Sequence, residues 1–134
     1  MTDNQSIVMI VDDDDSIRKA VRRLMKSFGV AVETFASAEE FLGSDRLEKT
    51  SCLILDVHMP GMSGLQLQER LVAGDCAIPI VFITAFNDGR ARAQALDAGA
   101  IGYLIKPFAD EELLNCIHTA LKFPAGDVLQ PRRQ

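Results

Sequence analysis

The chain has no tryptophan, a single tyrosine and only three cysteines among its 134 residues. Cys52, Cys76 and Cys116 are odd in number and lack metal-ligand spacing, so neither a disulfide framework nor a zinc site is expected. We read them as reduced thiols of a cytoplasmic protein. Long apolar runs are also missing. None approaches the ~20 residues needed to span a bilayer, and Met1–Ser6 lacks the positive charge and apolar core of a signal peptide. Nor is there an excess of positive charge: the net charge of −5 argues against general nucleic-acid binding. Internal repeats, low-complexity tracts and room for a second domain are absent too.

What remains is an ordinary globular composition, 48% apolar and 25% charged, in a chain long enough for one well-buried core. Five short apolar runs alternate with helical patterns, the signature of βαβ units around a parallel sheet. The runs are Val8–Val11, Ala31–Phe35, Leu53–Leu55, Ile80–Ile83 and Gly102–Ile105. Between the first two, Ile17, Ala20, Val21, Leu24, Met25 and Phe28 recur at helical spacing, with Arg18, Lys19, Arg22, Arg23 and Lys26 on the opposite face. Gly29 supplies a stop. Ser37 and Glu40 predict a capping box for a second helix bearing Phe41 and Leu42. A third helix follows Ser63, and a fourth runs from about Gly89 to Ala98. The last starts at Asp110, with Leu113, Leu114, Ile117 and Leu121 inward. Right-handed crossovers place helices on both faces of the sheet.

The chemistry concentrates where these runs end. The first leads into Asp12-Asp13-Asp14-Asp15, the third into Asp56, the fourth into Thr84 and the fifth into Lys106. In a parallel sheet these ends share one edge, where α/β proteins present ligands. Clustered carboxylates suggest a divalent cation, and Mg²⁺ suits a few hard oxygen ligands with retained waters and a shared phosphate. A carboxylate nucleophile, a metal site, a hydroxyl and a fixed cation are the parts phosphoryl transfer needs. Each has a plainer reading. An acid after a strand often caps a helix, as Asp14, Asp15 or Ser16 would here, and Thr84, Lys106 or Tyr103 taken singly could be structural. Four strand ends matching together outweigh those readings.

Val11-Asp12-Asp13, the stretch from Asp56 through Val57-His58-Met59-Pro60-Gly61-Met62-Ser63 to Gly64, Thr84-Ala85 and Lys106-Pro107-Phe108 closely resemble the receiver domain of two-component response regulators, over about residues 6–122. The resemblance implies a flavodoxin-like (βα)5 fold of strand order 2-1-3-4-5, for which the family's chemotaxis member is the type case. It also implies roles. Asp56 would accept a phosphoryl group from a histidine kinase or a histidine phosphotransfer protein. Asp13, Asp56 and the His58 backbone carbonyl would hold Mg²⁺, with Asp12 acting mostly through water. Lys106 would pair with the phosphoryl group and the Thr84 hydroxyl would bond one of its oxygens. Tyr103 would be the aromatic switch that follows Thr84, and Lys106-Pro107 matches a bond usually cis in the family. The downstream effector is not named by the sequence. A phosphorylation-enhanced homodimer is a further expectation, with no membrane and no direct nucleic-acid contact.

Three rival readings fit the sequence less well. A Mg²⁺-dependent aspartyl-phosphate phosphatase of the haloacid-dehalogenase class carries a second Asp two residues after its nucleophile, where this chain has His58. A flavin mononucleotide carrier needs a phosphate loop after the first strand, and Asp12–Asp15 would repel the phosphate. A degenerate receiver that only docks partners is opposed by the intact Asp12, Asp13, Asp56, Thr84 and Lys106. We expect residues 1–122 to form the receiver domain and 123–134 a polar C-terminal tail. The receiver either stands alone or belongs to a longer regulator.

Overall fold

All five apolar runs become strands, and the five helical patterns become helices, in a computed structural model that describes residues 6–122. The expected tail, 123–134, and Met1–Gln5 lie outside those residues. In chain order the elements are β1 (Ile7–Val11), α1 (Asp15–Ser27), β2 (Ala31–Phe35), α2 (Ala38–Leu42), β3 (Cys52–Asp56), α3 (Gly64–Ala73), β4 (Ile80–Thr84), α4 (Gly89–Asp97), β5 (Gly102–Ile105) and α5 (Asp110–Lys122). The strands form one parallel sheet in the order β2-β1-β3-β4-β5.

Strand alternation divides the core into two layers. Met9, Val11, Leu53, Leu55 and Phe82 face α2, α3 and α4 through Phe41, Leu67, Leu71, Ala91 and Ala95. Val8, Ile10, Ile54, Val81 and Ile83 face α1 and α5 through Val21, Met25, Leu113, Ile117 and Ala120. Strands covered on both faces read as continuous apolar runs rather than alternating ones, which is why these segments were legible. Each fully buried large aliphatic or aromatic side chain stabilises the fold by roughly 1.5–3 kcal/mol.

Helix starts follow the capping chemistry. Asp14 caps α1 by accepting the Ser16 N–H, Ser37 caps α2 by accepting from Glu40, and Asp88 caps α4 by accepting from Arg90 and Ala91. Ser63 and Gln66 form a reciprocal capping box at α3. Three details depart from expectation. β1, β3 and β4 each extend a residue or more beyond the apolar runs. Phe28, assigned to the inner face of the first helix, is 62% exposed. It is the C-cap of α1, past the last helical turn, so the periodicity no longer governs where it points. A short 3₁₀ turn, Leu47–Lys49, precedes β3 and has no counterpart in the sequence reading.

Candidate functional site

Strand register carries the polar groups to one edge. Val11 lies opposite Leu55, Asp56 opposite Ile83 and Thr84 opposite Ile105. Asp12 therefore leaves β1 beside Asp56, the last residue of β3, while Thr84 ends β4 and Lys106 follows β5. Asp12, Asp56 and Thr84 are all buried, whereas Asp13 is exposed.

Asp12, Asp13 and Asp56 each offer a carboxylate oxygen, and these oxygens lie within 4.8 Å of one another. Lys106 Nζ sits 3.1 Å from Asp12 Oδ2 and 3.8 Å from Asp56 Oδ2. Asp12 is the better tethered of the buried pair. Its Oδ1 accepts the Asp14 N–H at 2.9 Å, and its backbone carbonyl accepts from Arg18 Nη1 at 2.7 Å. Asp56 is held more loosely, with Oδ1 accepting the His58 N–H at 3.4 Å. Burial, and then the neighbouring Asp12 charge, push the Asp56 carboxyl up to about 7, with Lys106 opposing. A single ammonium shared by two buried carboxylates leaves the cluster short of positive charge. Three converging hard oxygens, one of them solvent-facing, fit a Mg²⁺ ion that keeps several waters.

The flanking groups have separate anchors. Thr84 Oγ1 accepts the Phe86 N–H at 3.1 Å, which leaves its own O–H free to donate. The Thr84 carbonyl accepts the Lys106 N–H at 2.7 Å, tying the two strand ends together. The Lys106–Pro107 peptide bond is cis, as anticipated. Tyr103 is half-buried, with its ring centroid 6.1 Å from that of Phe82. Its hydroxyl is buried without a hydrogen-bond partner among the described residues, and burial pushes its pKa above the ordinary tyrosine value. In the loops that leave β3 and β4, the exposed rings of His58 and Phe86 meet edge to face, centroids 4.8 Å apart at 81°. Cys52, at the amino end of β3, and Cys116, within α5, offer no rival nucleophile on this edge, and burial pushes the Cys52 thiol up to about 12 and raises Cys116 as well.

Of the candidate site residues, Tyr103 lies within β5, whereas Asp12, Asp13, Asp56, His58, Thr84 and Lys106 lie at this carboxyl-end edge or in the loops leaving it. Two contacts there carried no sequence signal: Arg18 clamping the Asp12 carbonyl, and Glu39 reaching from α2 to the Met62 N–H at 2.9 Å. An apolar cavity of about 470 Å³ lies elsewhere. It is lined mainly by apolar residues such as Leu71, Val72, Ile78 and Ile101 near the amino ends of β4 and β5, and holds none of the converging carboxylates.

Known proteins place this geometry in context. Residues 8–118 match the model of the response regulator receiver domain. Response regulator protein TmoT of Ectopseudomonas mendocina is 44% identical over 91% of this chain and 56% of its own length. TodT of Pseudomonas putida is 43% identical over 91% of the chain and 54% of its own, so the chain spans about half the length of these curated relatives. Among solved structures, that of the response regulator StyR superposes with a TM-score of 0.85 at 48% identity, covering 91% of this chain and 62% of that one. FixJ-N superposes at 0.80 with 33% identity, covering 92% and 97%. With five parallel strands in the order 2-1-3-4-5, a carboxylate-tipped edge and a family match over most of its length, the chain belongs to the response regulator receiver domains of two-component signalling.

Proposed function

We propose that this chain is the phosphoacceptor of a two-component relay, taking a phosphoryl group on Asp56 in a Mg²⁺-dependent reaction that switches a protein-interaction surface. The observation that carries the reading is the convergence of Asp12, Asp13 and Asp56 beside Lys106. An Asp56 carboxylate oxygen attacks phosphorus in a phosphohistidine of a histidine kinase or histidine phosphotransfer protein. The new O–P bond forms as the P–N bond breaks, and the imidazole leaves with the bonding pair and takes up a proton. Lys106 faces the negative charge on the phosphoryl oxygens, and the free Thr84 O–H donates to one of them. Asp12, Asp13, Asp56 and the His58 carbonyl would hold Mg²⁺, with Asp12 contributing mostly through water. The bound ion supplies the positive charge that two buried carboxylates and an incoming phosphoryl group together require.

Thr84 and Tyr103 are the switch pair, and the downstream effector is a protein. The receiver domain closes at residue 122, at the end of α5, and acts in the cytoplasm. Among the described residues no helix is long and apolar enough to cross a membrane. Incubation with acetyl phosphate and MgCl₂ tests the proposal. Intact mass should rise by one phosphoryl group, and chelation or Asp56→Asn should abolish the gain. Undiminished modification of Asp56→Asn would overturn it.

A further inference from the structure

The loop between β3 and α3, Val57 to Ser63, carries the His58 carbonyl, and it is fastened at two places. At its base, Val57 donates its N–H to the Ile83 carbonyl at 3.0 Å and accepts the Gly64 N–H at 2.9 Å. At its far end, Glu39 Oε2 accepts the Met62 N–H at 2.9 Å from an element 23 residues away in sequence. Gly61, at φ +77°, turns the chain there, and Glu39 Oε2 stands 2.7 Å from where a Cβ on residue 61 would be. The carboxylate thus occupies space that only a glycine leaves free. Its platform is firm. Ala38 and Phe41, on either side of Glu39 in α2, are fully buried in the core layer that also holds Met59 of the same loop.

We infer that Glu39 is a positioning residue, an external latch that fixes the β3–α3 loop and, through it, the His58 carbonyl relative to Asp56. This rests on the Mg²⁺ reading given above. The competing account is that Glu39 is a solvated acid in the first turn of α2, where negative charge is favourable whatever it touches. The accounts differ over what a neutral acceptor does. Glutamine keeps an amide oxygen able to accept the Met62 N–H but lacks the charge. Alanine loses both.

The test is an amide chemical-shift titration with MgCl₂ on the native chain, Glu39→Ala and Glu39→Gln, with hydrogen exchange at Met62 read in each. The latch predicts that Glu39→Ala weakens Mg²⁺ binding roughly three- to tenfold and speeds Met62 exchange. Glu39→Gln should stay within roughly twofold of the native chain on both readouts, by the same argument. Native Mg²⁺ affinity in Glu39→Ala would overturn the latch, even if Met62 exchanged faster. An equal loss in both variants would overturn it in favour of long-range charge. A native chain that takes up no Mg²⁺ would overturn the metal reading itself and this inference with it, a failure visible before any variant is made.

Discussion

At neutral pH the carboxyl of Asp56 stands at the edge of its own ionisation, because burial and the Asp12 charge raise it to about 7 while Lys106 draws it back. The folded chain therefore keeps a proton that the unfolded chain, at 3.8, gives up. A raised carboxyl of this kind favours the fold fully below the unfolded value, and that contribution is lost as pH rises through the folded one. With chelator present, the thermal midpoint should fall between about pH 4 and about pH 8, and Asp56→Asn should flatten that slope. Equal slopes in the two proteins would locate the pH response elsewhere. A second residue-scale prediction concerns the lifetime of the acyl phosphate. Its hydrolysis needs a water in line with phosphorus. The positions of His58 and Phe86 flank that approach in the family, and here the two rings pair edge to face. Phe86→Ala should speed phosphoryl loss several-fold after the donor is removed. His58→Ala should have a smaller, pH-dependent effect, since neutral imidazole can hold a water while imidazolium can shield the phosphoryl oxygens. An unchanged or slower rate in Phe86→Ala would show that the ring is not the shield. Of these residues, Asp56, Thr84 and Lys106 were legible because each terminates an apolar run. The edge-to-face pairing of His58 with Phe86 was not, since it depends on where two separate loops come to rest.

Elements show why the site stays in register. α3 begins immediately against β3, and a Cβ on Gly64 would run into the Asp56 backbone carbonyl oxygen. The obstacle is main chain, which cannot step aside as a flexible side chain would. Gly64→Ala should therefore destabilise the fold by roughly 1–3 kcal/mol and displace the β3–α3 loop. Chemical denaturation should show the loss of stability, and reduced phosphorylation should accompany it. A variant of native stability would mean that α3 can slide on the sheet. Helix starts were readable here because Ser37, Ser63 and their partners at the third helical position satisfy backbone donors locally. The 3₁₀ turn at Leu47–Lys49 and the exposure of Phe28 were hidden, because both lie beyond helix ends, where 3.6-residue periodicity lapses. The Glu39 contact was hidden for another reason. A side chain reaching a backbone N–H in a distant loop leaves no repeating trace in sequence.

For the whole molecule, the proposed function requires that one covalent event at the sheet edge produce a change at a distance. Phosphorylation should bias a two-state equilibrium by drawing Thr84 to the phosphoryl oxygens and letting Tyr103 repack behind it. The Tyr103 hydroxyl, unpartnered among the described residues, gives that residue a reason to move, since a buried polar group without a partner is costly. Amide shifts across α4, β5 and α5 should respond to a phosphoryl analogue, and silence on that face would refute the coupling. Self-association should be weak before modification and stronger after it, as sedimentation at matched concentration would read. The parallel α/β class was foreseeable because crossover helices and doubly covered strands leave a distinctive apolar rhythm, whereas the strand order came from the family resemblance. The charge balance was not, because burial sets it and burial appears only once the layers are packed. The account stands most directly on which carboxylate takes the phosphoryl group among 19 acidic residues. Borohydride reduces an aspartyl phosphate to homoserine, which peptide mass spectrometry can locate. After reaction with donor and MgCl₂, homoserine is predicted at position 56 alone, and only when Mg²⁺ is present. Homoserine at Asp12, Asp13 or any other acid, or at position 56 without the metal, would contradict it.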